Sequence, residues 1–285
     1  MSASIPAART AAVLICVVNV SEGRRVDEVS ALADAAGPDL LDVHHDADHN
    51  RCVLTLVGEE AVRAVSRRAV ERLDLRGHTG AHPRMGVVDV VPFVPLGPAS
   101  LADAARARDR FSRWLGEELD VPSFAYGHRS GSGSGPLSLP EVRRRAFVDL
   151  EPVAGPATPH PSAGATAVGA RGVLVAYNLW LASGDVALAR TLARSLRSPA
   201  VRALGLVVGD AVQVSCNLLD PVVVGPAAVY DAVAARTPVV RTELVGLAPA
   251  AVVAGVPAER WAELDLSPGR TFESRLARWA ARTAR

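Results

Sequence analysis

Short apolar, β-branched runs recur along this chain, separated by longer stretches whose apolar positions follow helical spacing. The first run, at 13–18, reads as a buried strand. Ser21-Glu22-Gly23 then turns into a helix predicted over 26–35, which Gly37-Pro38 closes. Residues 40–44 and 52–57 read as two strands, with a polar loop at 45–51 between them. Val62, Val65, Val70 and Leu73 mark a helix over 59–73. Residues 87–94 predict a third strong strand, whose end Pro92 and Pro95 push towards a sheet edge. A long amphipathic helix follows over 101–119, then a short strand at 121–126.

The Gly/Ser stretch 130–136 has the composition of a flexible linker, and the Pro-, Ala- and Gly-rich stretch 151–169 reads as a second loop. The pattern then restarts. It predicts a strand at 173–178, a helix at 186–195, strands at 201–208 and 211–217 paired across Gly209-Asp210, a helix at 224–234 and a strand at 238–244. From 259 onwards the chain is mostly helical and arginine-rich. The expected fold is α/β (α+β) in two units, 1–171 and 172–285, each a mixed sheet covered by helices. The Gly209-Asp210 hairpin argues against a purely parallel, doubly wound sheet. No Gly-rich nucleotide fingerprint follows a strand, and there is no P-loop.

Composition narrows the function. With 49% hydrophobic and 21% charged residues, the 285-residue chain can build a packed core, and global disorder is not expected. Aromatics are only 4%, so that core must come from small and branched aliphatic side chains. Thirty-one basic and 30 acidic residues leave a net charge of +1, which is not the field of a general nucleic-acid binder. Cys16, Cys52 and Cys216 are odd in number, far apart and without a CxxC pair, which argues against a disulfide scaffold and a structural zinc site. They read as core residues, and a reducing cytoplasm is the expected compartment. Arg9 and the apolar run 11–18 mimic a signal peptide, but the run is too short to span a bilayer and lacks a cleavage site. No membrane partner is expected.

Five of the seven histidines fall in two short segments: His44, His45 and His49, then His78 and His82. With Asp46 and Asp48 the first group admits a hydrolytic metal centre, a solvated loop, or a site for an organic substrate. His82 precedes Pro83, which biases it to extended backbone, and Gly80 and Gly86 bracket it just before the strand at 87–94. Loops at strand ends are where catalytic groups sit, though a histidine capping a turn has the same local signature. Arg84 and Arg51 are candidate carboxylate clamps. Asp46 and Asp48 can orient a histidine or bind an amine. Asn217 and Asp220 can bond a heterocycle or form a strand-end turn. The run Arg143-Arg144-Arg145 reads as a solvated helix face more than as an anion site.

These segments together resemble the formiminotransferase domain. The matching pieces include Val17-Val18-Asn19-Val20-Ser21-Glu22-Gly23, Leu40-Leu41-Asp42-Val43, Asp48-His49-Asn50-Arg51 and Leu56-Val57-Gly58. The strongest is His78-Thr79-Gly80-Ala81-His82-Pro83-Arg84-Met85-Gly86, continuing to Pro95. Further matches lie at 118–122, 126–127, 164–171, 176–179, 213–220 and 243–247, collinear from about 13 to 255. The resemblance implies two α/β subdomains with packed sheets and a ligand groove between them. It implies transfer of the formimino group of N-formiminoglutamate to tetrahydrofolate, a co-substrate, with His82 as acid/base and no metal. The segment 155–164 matches the position of the family's folate-binding loop. The implied binding set is Asn19, Asp46, Asp48, Asn50, Arg51, His78, Arg84, Gly155, Ser162, Gly164, Thr166 and Asn217. A homodimer is the candidate assembly, and no cyclodeaminase domain is expected. Two stretches depart from the family pattern, Arg145-Ala146-Phe147-Val148-Asp149-Leu150 and Ala157-Thr158-Pro159-His160-Pro161-Ser162-Ala163. A paralogue using another one-carbon donor, such as a formyl group, or one that binds folate without transferring anything, would share these features.

Overall fold

A computed structural model of the chain describes residues 12–81, 83–128 and 137–284. His82, Arg9 and the Gly/Ser stretch 130–136 therefore lie outside the described residues.

The elements run β1 (Val13–Val20), α1 (Val26–Ala36), β2 (Leu40–Asp46), β3 (Arg51–Val57), α2 (Gly58–Arg72), β4 (Val88–Leu96), α3 (Leu101–Leu119), β5 (Ser123–Gly127), α4 (Leu139–Arg145) and β6 (Thr166–Ala170). They continue as β7 (Val175–Leu181), α5 (Val186–Leu196), β8 (Val201–Val208), β9 (Ala211–Leu218), α6 (Pro226–Ala234), β10 (Val239–Val245), α7 (Ala250–Ala254) and α8 (Phe272–Thr283). One six-stranded sheet has the order β2-β3-β1-β4-β6-β5, and one four-stranded sheet the order β10-β7-β9-β8. In the first, β1 to β4 pair antiparallel, while β4, β6 and β5 run parallel. The second is antiparallel throughout, with β8 and β9 closing across Gly209-Asp210 as the turn signal predicts.

Local chemistry explains the elements that periodicity finds. Ser100 and Asp103 form a reciprocal capping box that starts α3, and Asp120 in a left-handed conformation (φ 52°) ends it. Its buried face, Ala104, Ala105, Ala107, Phe111 and Leu115, packs on the first sheet beside α1 and α2. A second core joins α5 and α6 to the four-stranded sheet around Tyr177, Leu179, Val214 and Leu218. The cysteines belong to these cores, and burial pushes the Cys52 and Cys216 thiols up to about 12.

Two expectations need correction. β4 is an interior strand despite Pro92 and Pro95. Its pairing with β1 runs from Val13↔Leu96 to Cys16↔Phe93 and resumes at Asn19↔Val90, so the ladder is interrupted opposite Pro92, which has no N–H to give. Pro95 lies past the end of β6, whose last partner on β4 is Phe93. The stretch 151–169 also holds the start of β6, a central strand. Its residues, Thr166 to Ala170, are small and carry little β signal, but all are buried between β4 and β5. Gly169 sits there because Tyr126 lies across it, 2.2 Å from where a Cβ would stand.

The topology gathers loops at one end of the first sheet. β1 and β2 end there, and β3, β4, β5 and β6 begin there. The second sheet joins the first through His44 and Glu243, 3.3 Å apart, and through the β8–β9 turn, where Gly209 lies against the Asp48 carboxylate. Helix α8 crosses back to the first sheet, where Phe272, Leu276 and Trp279 pack with Ile15, Leu41 and Val94. Trp279 donates to Asp39 (2.9 Å) and Arg275 reaches Asp42 (3.3 Å). Among the described residues, no helix is long and apolar enough to cross a membrane.

Candidate active site

The loop that carries His82 is built into this sheet end by hydrogen bonds from four directions. From the β2–β3 turn, the Ala81 amide donates to the Asp48 carbonyl (3.2 Å) and Asn50 Nδ2 to the Thr79 carbonyl (2.9 Å). Asn50 takes the left-handed conformation (φ 48°), which asparagine tolerates, and its Oδ1 accepts from the Gly23 amide (3.0 Å). Gly80 must be glycine here, because a Cβ would stand 2.4 Å from the His49 carbonyl oxygen. From the segment after β1, Arg24 bonds the Ala47 carbonyl (2.8 Å) and the Thr79 hydroxyl (3.1 Å), and Ser21 Oγ donates to the Gly86 carbonyl (2.8 Å). From the loop before β6, the Ala165 amide donates to Met85 and the Val87 amide to Ala163. From α4, Arg143 donates to the Pro83 carbonyl (2.7 Å).

Within the loop, Arg84 donates to the carbonyls of His78 (3.2 Å) and Gly80 (2.6 Å). Its guanidinium braces the backbone of 78–80, where the sequence suggested a carboxylate clamp. The His78 ring lies 3.0 Å from the Asn50 carbonyl, a contact that requires the proton on Nε2, and its Nδ1 is buried without a partner among the described residues. Burial, then the Arg84 charge, lowers the His78 pKa, so the ring is neutral at pH 7.

Beside the loop lies a buried ionic cluster. β4 carries a bulge where Asn19 pairs with Val90 but Val20 pairs with Val88, and Asp89 is the extra residue. Its carboxylate, 1% exposed, accepts from the Met85 amide (2.9 Å), Arg143 (2.5 Å) and Arg51 (3.5 Å). Arg51 also donates to Asn19 Oδ1 (3.0 Å). Arg143 is thus largely buried and bonded, not part of a solvated face; only Arg144 of that run is fully exposed, and Arg145 pairs with Asp149. The sequence did contain a signal for Asp89: a lone acid inside the apolar run 87–94 must find a cation when buried. The run at 143–145 read as a solvated face rather than as this partner, and nothing local pointed to Arg24.

At the β2–β3 turn, Asp46 is engaged locally, while the Asp48 carboxylate faces Gly209 of the β8–β9 turn. Asp46 accepts from the His49 amide (2.7 Å) and ring (3.2 Å). Burial would raise its pKa, but these bonds outweigh it and hold the carboxyl down to about 2. The folded value lies below the ordinary 3.8, so the stabilisation is present above pH 4 and is lost as pH falls towards 2. Asp46→Asn is expected to cost about 1 kcal/mol at pH 7, discounted for partial exposure. It should also flatten the acid limb of stability between about pH 4 and 2, which urea unfolding at several pH values measures. His44 pairs with Glu243, which also accepts from Asn178 (2.9 Å). Among the described residues, no group of three or more His, Cys, Asp or Glu side chains is placed to hold a metal ion.

Of the remaining sequence candidates, Ser162 accepts from the Leu75 amide (2.8 Å) through its carbonyl, and Gly164 (φ 71°) packs against the Met85 carbonyl. Thr166 is fully buried and donates to the Val88 carbonyl (2.8 Å), a structural bond that joins β6 to β4. Gly155 (φ 85°) is wedged between Gly116 of α3 and Pro122, two strands from β4. Asn217 is exposed, paired with Ala176 and Arg202, roughly 20 Å along β9 from the turn that touches Asp48. Asp220 accepts from the Val223 amide (3.4 Å) as a turn former.

Residues 13–171 match the model of the formiminotransferase domain, N-terminal subdomain. The chain belongs to the formiminotransferase family. It is 33% identical over 235 residues to a glutamate formimidoyltransferase of Streptococcus pyogenes serotype M1, covering 74% of this chain and 78% of that protein. A glutamate formimidoyltransferase of Thermoplasma acidophilum is 33% identical over 266 residues, covering 82% of this chain and 87% of that one. The formimidoyltransferase-cyclodeaminase of Sus scrofa is 35% identical over 270 residues, and the chain spans about half (50%) of its length. The formiminotransferase assignment accounts for the collinear motifs that frame the His82 loop.

Proposed function

We propose that this chain transfers the formimino group of N-formiminoglutamate to N5 of tetrahydrofolate and releases glutamate. The observation that supports it best is the match to two glutamate formimidoyltransferases along most of their length. In this reading the folate N5 amine attacks the formimino carbon, and the glutamate nitrogen leaves as an amine. N5 gives up one proton and the departing nitrogen takes one, so the reaction needs a group that accepts a proton and returns it. His82 is the residue for that role, because an imidazole titrates near neutrality. Arg84, Asn50 and Asp48 hold the backbone of residues 79–81 just before it, and Gly80 allows that close approach.

Both substrates carry carboxylates. Arg51, a candidate carboxylate clamp, stands beside the loop with Asp89 and Asn19 as its partners. Gly155, Ser162 and Gly164 belong to the loop assigned to the folate side, and tetrahydrofolate enters as a co-substrate. The test is incubation of the purified chain with N-formiminoglutamate and tetrahydrofolate. The expected result is 5-formiminotetrahydrofolate and glutamate in equal amounts. Product from a formyl donor alone, or folate binding with no product from either donor, would replace this reading with the corresponding paralogue.

A further inference from the structure

Arg143 is the point where an element distant in sequence grips the His82 loop. Its Nη1 donates to the carbonyl of Pro83, the residue after His82, across 60 positions of chain. Its Nη2 donates to Asp89 Oδ2, and the other oxygen of that carboxylate accepts from the Met85 amide. Arg143 and Asp89 thus form one bracket over 83–85, with one end on a carbonyl and the other on an amide. Arg84 braces the same loop from within, and Asp48 holds Ala81 on the other side. The bracket is held in place by packing. Val142 is fully buried with Phe124, Tyr126 and Val90, which fixes α4 against β5 and β6 and leaves Arg143 beside the start of β4.

We infer that Arg143 is a positioning residue for the catalytic loop, setting the backbone of Pro83 and Met85, the segment that follows His82 in the chain. A planar guanidinium suits this because it serves a carbonyl and a carboxylate in one plane, which an ammonium cannot do. Asp89 anchors Arg143 through a buried ion pair, and Arg51 pairs with the same carboxylate. The inference rests on the transferase reading only for its kinetic arm.

The experiment compares the full chain with R143Q, R143K and R143A. Hydrogen exchange followed by mass spectrometry reads the loop directly, whatever the substrate. The amides of Ala81 and Met85, bonded to Asp48 and Asp89, are expected to exchange about tenfold faster in R143Q, with α3 and the second sheet unchanged. In the transfer assay kcat is expected to fall about 10–100-fold with KM for both substrates within roughly threefold, as a misplaced catalytic group predicts. R143K should recover only part of the loss, and added methylguanidinium should restore R143A. Unchanged exchange at 81–85 overturns the inference. So does a raised KM with kcat intact, which makes Arg143 a substrate clamp, and so does faster exchange throughout the chain, which makes it a general stability residue. If the unaltered chain shows no transfer, the functional reading fails, while the exchange arm still decides the role of Arg143.

Discussion

Replacing His82 by alanine is expected to lower kcat by about 10²–10⁴-fold, the span that general acid–base catalysis covers. Tetrahydrofolate should still bind, because backbone and arginine contacts among the described residues hold the loops at the sheet end. The physical reason is proton traffic. A departing amine anion is too basic to leave unprotonated near pH 7, and an imidazole both takes the N5 proton and returns one to that nitrogen. Steady-state formation of 5-formiminotetrahydrofolate gives kcat, and calorimetric titration with tetrahydrofolate gives binding. Turnover within roughly threefold of the unaltered chain would remove His82 from the mechanism. Loss of folate binding together with turnover would make it a binding residue.

The largest stability effect is expected at Asp89. Its carboxylate is almost wholly buried and accepts from Arg51, Arg143 and the Met85 amide. Asp89→Ala leaves two guanidinium groups near each other without the charge that compensates them, and breaking a buried ion pair in this way costs about 3–5 kcal/mol. The Met85 amide also loses its acceptor, which adds the desolvation cost of an unsatisfied donor. Asp89→Asn retains an acceptor for Met85 and should cost less than the alanine change. Urea unfolding of the two variants measures both values. A loss below about 1 kcal/mol in Asp89→Ala, the range of an exposed pair, would mean that the two arginines find other partners. The departure of this chain from the family pattern at 145–150 leaves the cluster intact, since Arg143 precedes that stretch and Asp89 lies on another element.

What the sequence determined by itself was local. The 3.6-residue spacing marked α1, α2, α3 and α5, whose buried faces are set by side chains a turn apart. β-branched runs marked β1, β3, β4 and β8, and Gly209-Asp210 marked the hairpin that makes the second sheet antiparallel. The motif 78–86 marked the loop that carries His82 and, through resemblance, the family. Tertiary structure decided the rest. β6 exists because small residues fill a narrow gap between β4 and β5, and a run of Thr, Ala, Val and Gly carries no period that shows this. β4 tolerates Pro92 in the interior because its ladder with β1 is interrupted there, a fact about its neighbour. Arg84 looked like a substrate clamp, yet it meets two carbonyls of its own loop. Arg143 looked solvated, yet packing of Val142 turns it onto Asp89 and Pro83. Periodicity records which face of an element is buried. It does not record which distant group waits there, because hydrogen bonds across 60 residues depend on how the sheet brings chain segments together.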